Sequence, residues 1–161
     1  MHKGKEMKLF IPLEVVNREY ASRLLVATEA ARQGFEVIFG DKDKVLDNAL
    51  TYGGGDSVWL GRGSVNQTLI NRGINLLGHD EESGIIYENY ADYYKFRTGL
   101  SEIKSLKKFF CWGPDDFDYL KALHGNVGRS SGDLFPVTGS PRSALWGRLG
   151  AEFYDRKILD I

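Results

Sequence analysis

The strongest constraint on this chain is an alternation of short apolar runs with stretches of helical periodicity, repeated along most of its length. Lys8–Leu13 (KLFIPL), 35–39 (FEVIF), 57–60 (SVWL), 74–77 (INLL), 107–112 (KKFFCW) and 134–137 (LFPV) read as strands from their β-branched and aromatic content. Between them, 18–33 places Leu24, Leu25, Ala27, Thr28 and Ala31 at helical spacing before a stop at Gly34. A second helix follows Asp41, a good cap, through about Leu50. Further helices are expected over 65–72 with Ser64 as cap, over 89–97 up to Gly99, and over 117–124 with Phe117, Leu120 and Leu123 inward. The last stretch, 143–161, reads as helical, with Leu145, Trp146, Leu149 and Phe153 on one face.

Two strands joined by a helix of such length pair in parallel with a right-handed crossover. The pattern therefore predicts an α/β fold, an open, mainly parallel sheet of about six strands with helices on both faces. Pro136 puts the 134–137 strand at an edge. The expected organisation is a flexible tail over 1–7, one domain over 8–142, and a carboxyl-terminal helix over 143–161 that serves as a hinge. At 161 residues the chain suits one domain with a real core.

Charge and cysteine usage exclude several partners. The 21 basic residues balance 22 acidic ones without a dense Lys/Arg block, which argues against nucleic acid. The lone Cys111 sits in an apolar run, so it reads as a buried small hydrophobe; no internal disulfide and no Cys/His metal spacing exists. No metal or cofactor is expected, and a reducing, cytoplasmic setting is. No apolar run approaches the roughly 20 residues that span a bilayer, and the first residues lack the apolar core of a signal peptide. Lys3, Lys5 and Lys8 read as a solvated tail or as a peripheral contact with the inner face of a membrane.

Open parallel sheets bind ligands beyond the carboxyl ends of their strands. Those ends carry Glu14 with Arg18, Arg62 with Ser64, His79-Asp80-Glu81-Glu82, Trp112 to Asp116, and Ser140 with Arg142. The acidic loop is the leading candidate, because three consecutive acids and a histidine follow a strand directly. Adjacent carboxylates raise one another's pKa, so at least one is expected to be partly buried with a raised pKa. The alternative is a solvated capping turn. Glu14 and Arg18 read either as an i, i+4 surface pair or as polar groups of a cleft. Arg62 and Ser64, between a strand and a helix, read as an anion site or a plain turn. Gly53-Gly54-Gly55 precedes a strand instead of opening a helix, so it reads as a connector. Tyr87, Tyr90, Tyr93, Tyr94 and Phe96 read as core packing or as a platform that stacks sugars. His124 reads as a favourable charge at a helix carboxyl terminus.

Ile11-Pro12-Leu13-Glu14 with Arg18-Glu19, Gly34 to Ile38, Asp80-Glu81-Glu82 with Gly84 and Tyr87, Phe110 with Trp112-Gly113, and Val137 to Arg142 form an ordered set. Over residues 8–145 that set resembles the bacterial surface carbohydrate (polysaccharide) biosynthesis proteins, whose amino-terminal half is similar to the first Rossmann-like domain of a GT-B glycosyltransferase. The chain departs from the family pattern in placing Ser83 between the second Glu and Gly84, and in reading TGSPR where TGNPR is usual. The resemblance implies an acceptor-binding domain acting in surface polysaccharide or lipopolysaccharide assembly, with a sugar or glycolipid acceptor. It implies a nucleotide-sugar donor held by a second GT-B domain or partner chain, and an isolated half without turnover. Glu82 or Glu81 would be the general base, Asp80 and His79 would tune its charge, and Glu14, Arg18, Arg62, Ser64, Ser140 and Arg142 would bind substrate. The alternatives are a non-enzymatic flavodoxin-like binding module and a nucleotide-sugar epimerase-like protein.

Overall fold

The computed structural model describes residues 7–82, 90–125 and 128–147. Five strands, β1 (Lys8–Leu13), β2 (Glu36–Asp41), β3 (Val58–Gly61), β4 (Asn75–His79) and β5 (Lys108–Phe110), form one sheet in the order β2-β1-β3-β4-β5. Every pairing is parallel, with Lys8 opposite Glu36, Phe10 opposite Trp59, Leu77 opposite Lys108 and His79 opposite Phe110. The expected α/β class and the parallel βαβ start hold.

The sheet has five strands where about six were expected, and the reason lies at Pro136. Residues Ser131–Leu134 form a short helix, α7, and only Val137 bridges to Cys111. Pro136 has no N–H to donate to a ladder, although its carbonyl accepts from the Cys111 amide at 2.9 Å.

Successive residues of a strand face opposite sides of the sheet, so Phe10 serves one core while Leu9 and Ile11 serve the other. The first side is thick. It is covered by α2 (Lys42–Tyr52), α3 (Gln67–Asn71), α4 (Tyr90–Arg97), α5 (Leu100–Ser105), α6 (Pro114–His124) and α7, whose Val45, Leu69, Tyr94, Ile103, Leu120 and Leu134 meet Trp59, Leu76 and Phe109. Among the described residues the second side is covered by α1 (Val16–Arg32) and the short α8 (Pro141–Ala144), which lie against each other. Ala27, Val26 and Ala30 of α1 pack there on Leu9, Ile11 and Leu60.

Several local expectations are corrected. Along α1 the inward stripe is Glu19, Ser22, Arg23, Val26, Ala27 and Ala30, whereas Leu25, Thr28 and Ala31 are exposed. Asp41 does cap α2, accepting from the Lys44 amide at 3.2 Å. For α3 the cap is Asn66, whose side-chain oxygen accepts from the Thr68 and Leu69 amides; Ser64 is exposed and lies outside the helix. Residues 100–105, for which no helix was expected, form α5. Leu123 faces solvent, and Trp146 is 74% exposed while Leu145 is buried. Of the expected carboxyl-terminal helix only Ser143 and Ala144 are helical, as the end of a short helix over Pro141–Ala144; 145–147 form a turn, and 148–161 lie outside the described residues, as do residues 1–6 of the expected tail.

Two buried aromatics settle part of the tyrosine cluster. Tyr93 and Tyr94 stand edge-on with centroids 5.1 Å apart inside the core, so neither offers a face for stacking. Tyr87 lies outside the described residues. His124 is buried, with Nε2 3.3 Å from Thr98 Oγ1, and burial lowers its pKa. It is a core histidine whose charging the fold opposes, not a helix-end charge. Cys111 is fully buried and its thiol is pushed up to about 12 by burial and by Asp116.

Candidate functional site

Strand β4 runs two residues further than its apolar run suggested, so His79 is its last residue and Asp80 the first of the acidic loop. Gly78 makes this extension fit. A Cβ there would stand 2.6 Å from Phe109 Cδ2 and 3.0 Å from Gly63 Cα, so only glycine lets β4 and its neighbours close at this point. His79, Asp80 and Glu81 are all buried, and Glu82 is partly so.

The polar half of the α1 stripe meets this loop. Arg23, 3% exposed, sends Nη1 to the Leu60 carbonyl and Nη2 to the His79 carbonyl, each at 3.3 Å, and places Nε 3.0 Å from Glu81 Oε1. It therefore spans the carboxyl ends of β3 and β4 and neutralises the buried Glu81. Ser22 donates to Glu81 Oε2 at 3.1 Å. His79 Nδ1 lies 3.5 Å from Glu81 Oε1, a close approach without hydrogen-bond alignment, and its ring stacks on Trp112 with centroids 6.4 Å apart. Trp112 in turn donates its indole N–H to the Asp80 carbonyl at 2.8 Å.

Three polar atoms at the centre make no aligned hydrogen bond. His79 Nε2, Glu81 Oε1 and Arg23 Nε are buried without a hydrogen-bond partner among the described residues, although Arg23 Nε and Glu81 Oε1 face each other at 3.0 Å as an ion pair. Buried polar atoms are nearly always paired, so the uncompensated His79 Nε2 marks the group as unusual.

Around them lies a second ring of charge. Glu82 is gripped by Arg18 on one oxygen and by Arg97 on the other. Arg97 also forks onto Asp80 at 2.8 and 2.9 Å, and Asp80 accepts from the Tyr93 hydroxyl at 3.1 Å. Glu19 caps the start of α1 through the Glu14 and Val15 amides and holds Arg18 Nη2 at 2.9 Å. Glu14 pairs with Lys42 at 2.8 Å and approaches Arg62 at 3.7 Å. The expected Glu14–Arg18 surface pair is thus replaced: each meets other partners, and Glu19 links the two.

These partners reverse the expected pKa direction. For Glu81 burial acts to raise the pKa, but the His79, Arg23 and Ser22 side chains together outweigh it and hold the carboxyl below the usual value. Arg97, followed by Arg18 and Arg62, holds Glu82 low. Lys42 does the same for Glu14. Neither Glu81 nor Glu82 is therefore the carboxylate with a raised pKa expected of the acidic loop.

The structure gathers His79 to Glu82, Glu14, Arg18 and Arg62 at one edge, beside the switch point between β1 and β3 where doubly wound sheets leave a crevice. Ser140 is buried nearby and caps α8, accepting from the Ser143 amide at 3.4 Å. It shares the lining of a cavity with Arg23, His79 and Glu81. Ser64 is exposed, and Arg142 lies over the Trp146 ring at 5.7 Å. Three groups of the site, Ser22, Arg23 and Arg97, were not singled out from the sequence, and Glu19 was named only as a mark of the family pattern. Glu19, Ser22 and Arg23 were detectable as polar residues on the same helical stripe as Val26, Ala27 and Ala30; Arg97 carried no such signal.

Among the described residues no cluster of His, Cys, Asp or Glu is arranged to hold a metal ion. No helix there is long and apolar enough to cross a membrane. No family model, no curated protein and no solved structure matches the chain.

Proposed function

We propose that this chain is the acceptor-binding half of a GT-B-like glycosyltransferase in bacterial surface polysaccharide or lipopolysaccharide assembly, with His79 as the group that accepts the proton. The observation that carries the reading is the buried His79 Nε2 without a hydrogen-bond partner among the described residues, at the carboxyl end of β4, with Glu81 behind Nδ1. An imidazole flanked by a carboxylate suits general-base work at neutral pH. Glu82, the base expected from the sequence, suits it less, because both of its oxygens are engaged by arginines that hold its pKa down.

In this reading the acceptor hydroxyl gives its proton to His79 Nε2 as its oxygen forms the new bond to the anomeric carbon. The bond from that carbon to the nucleoside diphosphate breaks, and the leaving oxygen keeps the electron pair. Glu81 stabilises the imidazolium that results. The five-stranded parallel sheet is compatible with a Rossmann-like acceptor domain. The donor and its second domain or partner chain are implied by the family resemblance. The dense arginine pairing around Asp80 and Glu82 favours one other reading, a binding module without turnover.

The test is histidine-selective NMR during titration with a panel of acceptor sugars, followed by transfer assays with sugar nucleotides after the donor half is supplied. Acceptor binding is expected to shift the His79 ring signals, and His79→Gln is expected to abolish transfer while Glu82→Gln lowers it less. The chain alone is expected to show no transfer, since a half-site cannot align donor and acceptor. Acceptor binding with full transfer in His79→Gln would refute the base assignment. Turnover by the chain alone, above a Glu81→Ala/Glu82→Ala control, would refute the half-site reading.

A further inference from the structure

The thinly covered side of the sheet holds a cavity of about 590 Å³ between α1 and the 138–144 segment. Its walls are apolar: Val26 and Ala30 of α1, Leu60 and Phe110 of the sheet, and Pro141 and Ala144 of α8. Phe35 and Gln33 close the end nearer the amino edge, and His79, Glu81, Arg23 and Ser140 form the end at the carboxyl edge. The groove thus runs along the strands, which at the length of β4 is roughly 17 Å. Glu29 and Gln33 also line the far end but satisfy each other, the Gln33 amide donating to Glu29 at 2.8 Å, so the buried hydrogen-bonding groups lie at the carboxyl end, the pattern of a site for a molecule with an apolar body and one hydrogen-bonding group.

The polar end specifies that group. Among the described residues His79 Nε2 has no hydrogen-bond partner, Glu81 Oε1 faces Arg23 Nε at 3.0 Å but accepts no aligned hydrogen bond, and Ser140 accepts from the Ser143 amide while its own hydroxyl donates to no group. A hydroxyl, which both donates and accepts, satisfies this set. An anionic head does not, because Glu81 is itself held in its charged form and Arg23 is already engaged by Glu81 and by two backbone carbonyls.

We infer that the groove between α1 and α8 binds a neutral, hydroxyl-ended apolar chain, with the hydroxyl at His79 and Glu81 and the chain along Leu60 and Phe110. The inference rests on the acceptor reading in one respect: it makes the acceptor a long-chain alcohol. Binding itself needs no donor, so the two are measured apart.

The experiment uses the full chain with decanol, decanoate and decane as probes, followed by calorimetry and histidine-selective NMR near neutral pH. Decanol is expected to bind saturably, to shift His79, and to bind at least about tenfold more tightly than decanoate, the scale of one well-made buried hydrogen bond plus an avoided like-charge contact. Ala30→Trp, which fills the slot, is expected to abolish decanol binding, and His79→Leu is expected to bring decanol and decane to equal affinity. Should either variant fail to fold, the ranking of the three probes on the unaltered chain decides. Decanoate binding as tightly as decanol, or decanol binding without saturation, would overturn the inference. So would rapid disulfide formation between Ala30→Cys and Phe153→Cys, which would make the chain's own end the occupant. Loss of decanol binding alongside retained sugar-acceptor shifts at His79 would overturn the groove and leave the acceptor reading standing.

Discussion

Replacing Arg23 by methionine removes the cation that neutralises Glu81 while keeping most of the side-chain volume. Arg23 is 3% exposed and Glu81 1%, with 3.0 Å between Nε and Oε1, so the substitution leaves a carboxylate buried without its partner. Breaking a buried pair from one side costs about 3–5 kcal/mol, and the two carbonyl bonds, long at 3.3 Å, add little beyond that. With a urea slope of about 2 kcal/mol per molar, a loss of about 4 kcal/mol lowers the unfolding midpoint by roughly 2 M. The double variant Arg23→Met/Glu81→Leu removes both charges and is expected to recover most of that loss, since apolar replacement of a buried pair is often neutral or stabilising. The loss in the single variant should also shrink as the pH is lowered, because protonation relieves the stranded Glu81. Urea denaturation of the four members of the cycle at two pH values measures all of this. A loss below about 1 kcal/mol in Arg23→Met, or a double variant weaker than the sum of the singles, would show that Arg23 acts by packing and not by compensating charge.

Three further outcomes are expected. Gly78→Ala forces a methyl group against Phe109 and the Gly63 backbone and should cost about 1–3 kcal/mol in the same unfolding assay; an unchanged midpoint would mean the strand ends are not held that closely. Because burial lowers the His124 pKa, its neutral form is favoured in the fold: the stability this confers is complete above the unfolded value near 6.5 and is lost as pH falls below it towards the folded pKa. His124→Gln should flatten stability between those limits, and an unaltered pH profile would count against the assignment. Asn66→Ala should cost about 1 kcal/mol by uncapping α3, whereas Ser64→Ala should stay within about 0.5 kcal/mol; the reverse ranking would restore Ser64 as the cap.

The α/β class, the parallel βαβ start and the position of the acidic loop were legible in the residues alone, because these follow from periodicity and local chain chemistry. Asp41 as a cap and Cys111 as a buried residue belong to the same kind of information. The sixth strand failed although Pro136 was visible, since one missing N–H decides between a ladder and a single bridge only once the neighbouring strand is in place. The inward face of α1 was misread for a related reason: apolar spacing favoured Leu25 and Ala31, yet the face that meets the strand ends is the one carrying Glu19, Ser22 and Arg23. Buried charge runs against a hydrophobic pattern, because it is tolerated only where a distant partner neutralises it. Arg23 finds Glu81, and Arg97 finds Asp80 and Glu82, across 58, 17 and 15 positions of chain (81 − 23, 97 − 80 and 97 − 82). For the same reason the expected raised carboxyl pKa became a lowered one at Glu81 and Glu82. Adjacency in sequence brings like charges together, but only the tertiary fold supplies the arginines that outweigh their repulsion and leaves His79 Nε2 without a partner among the described residues.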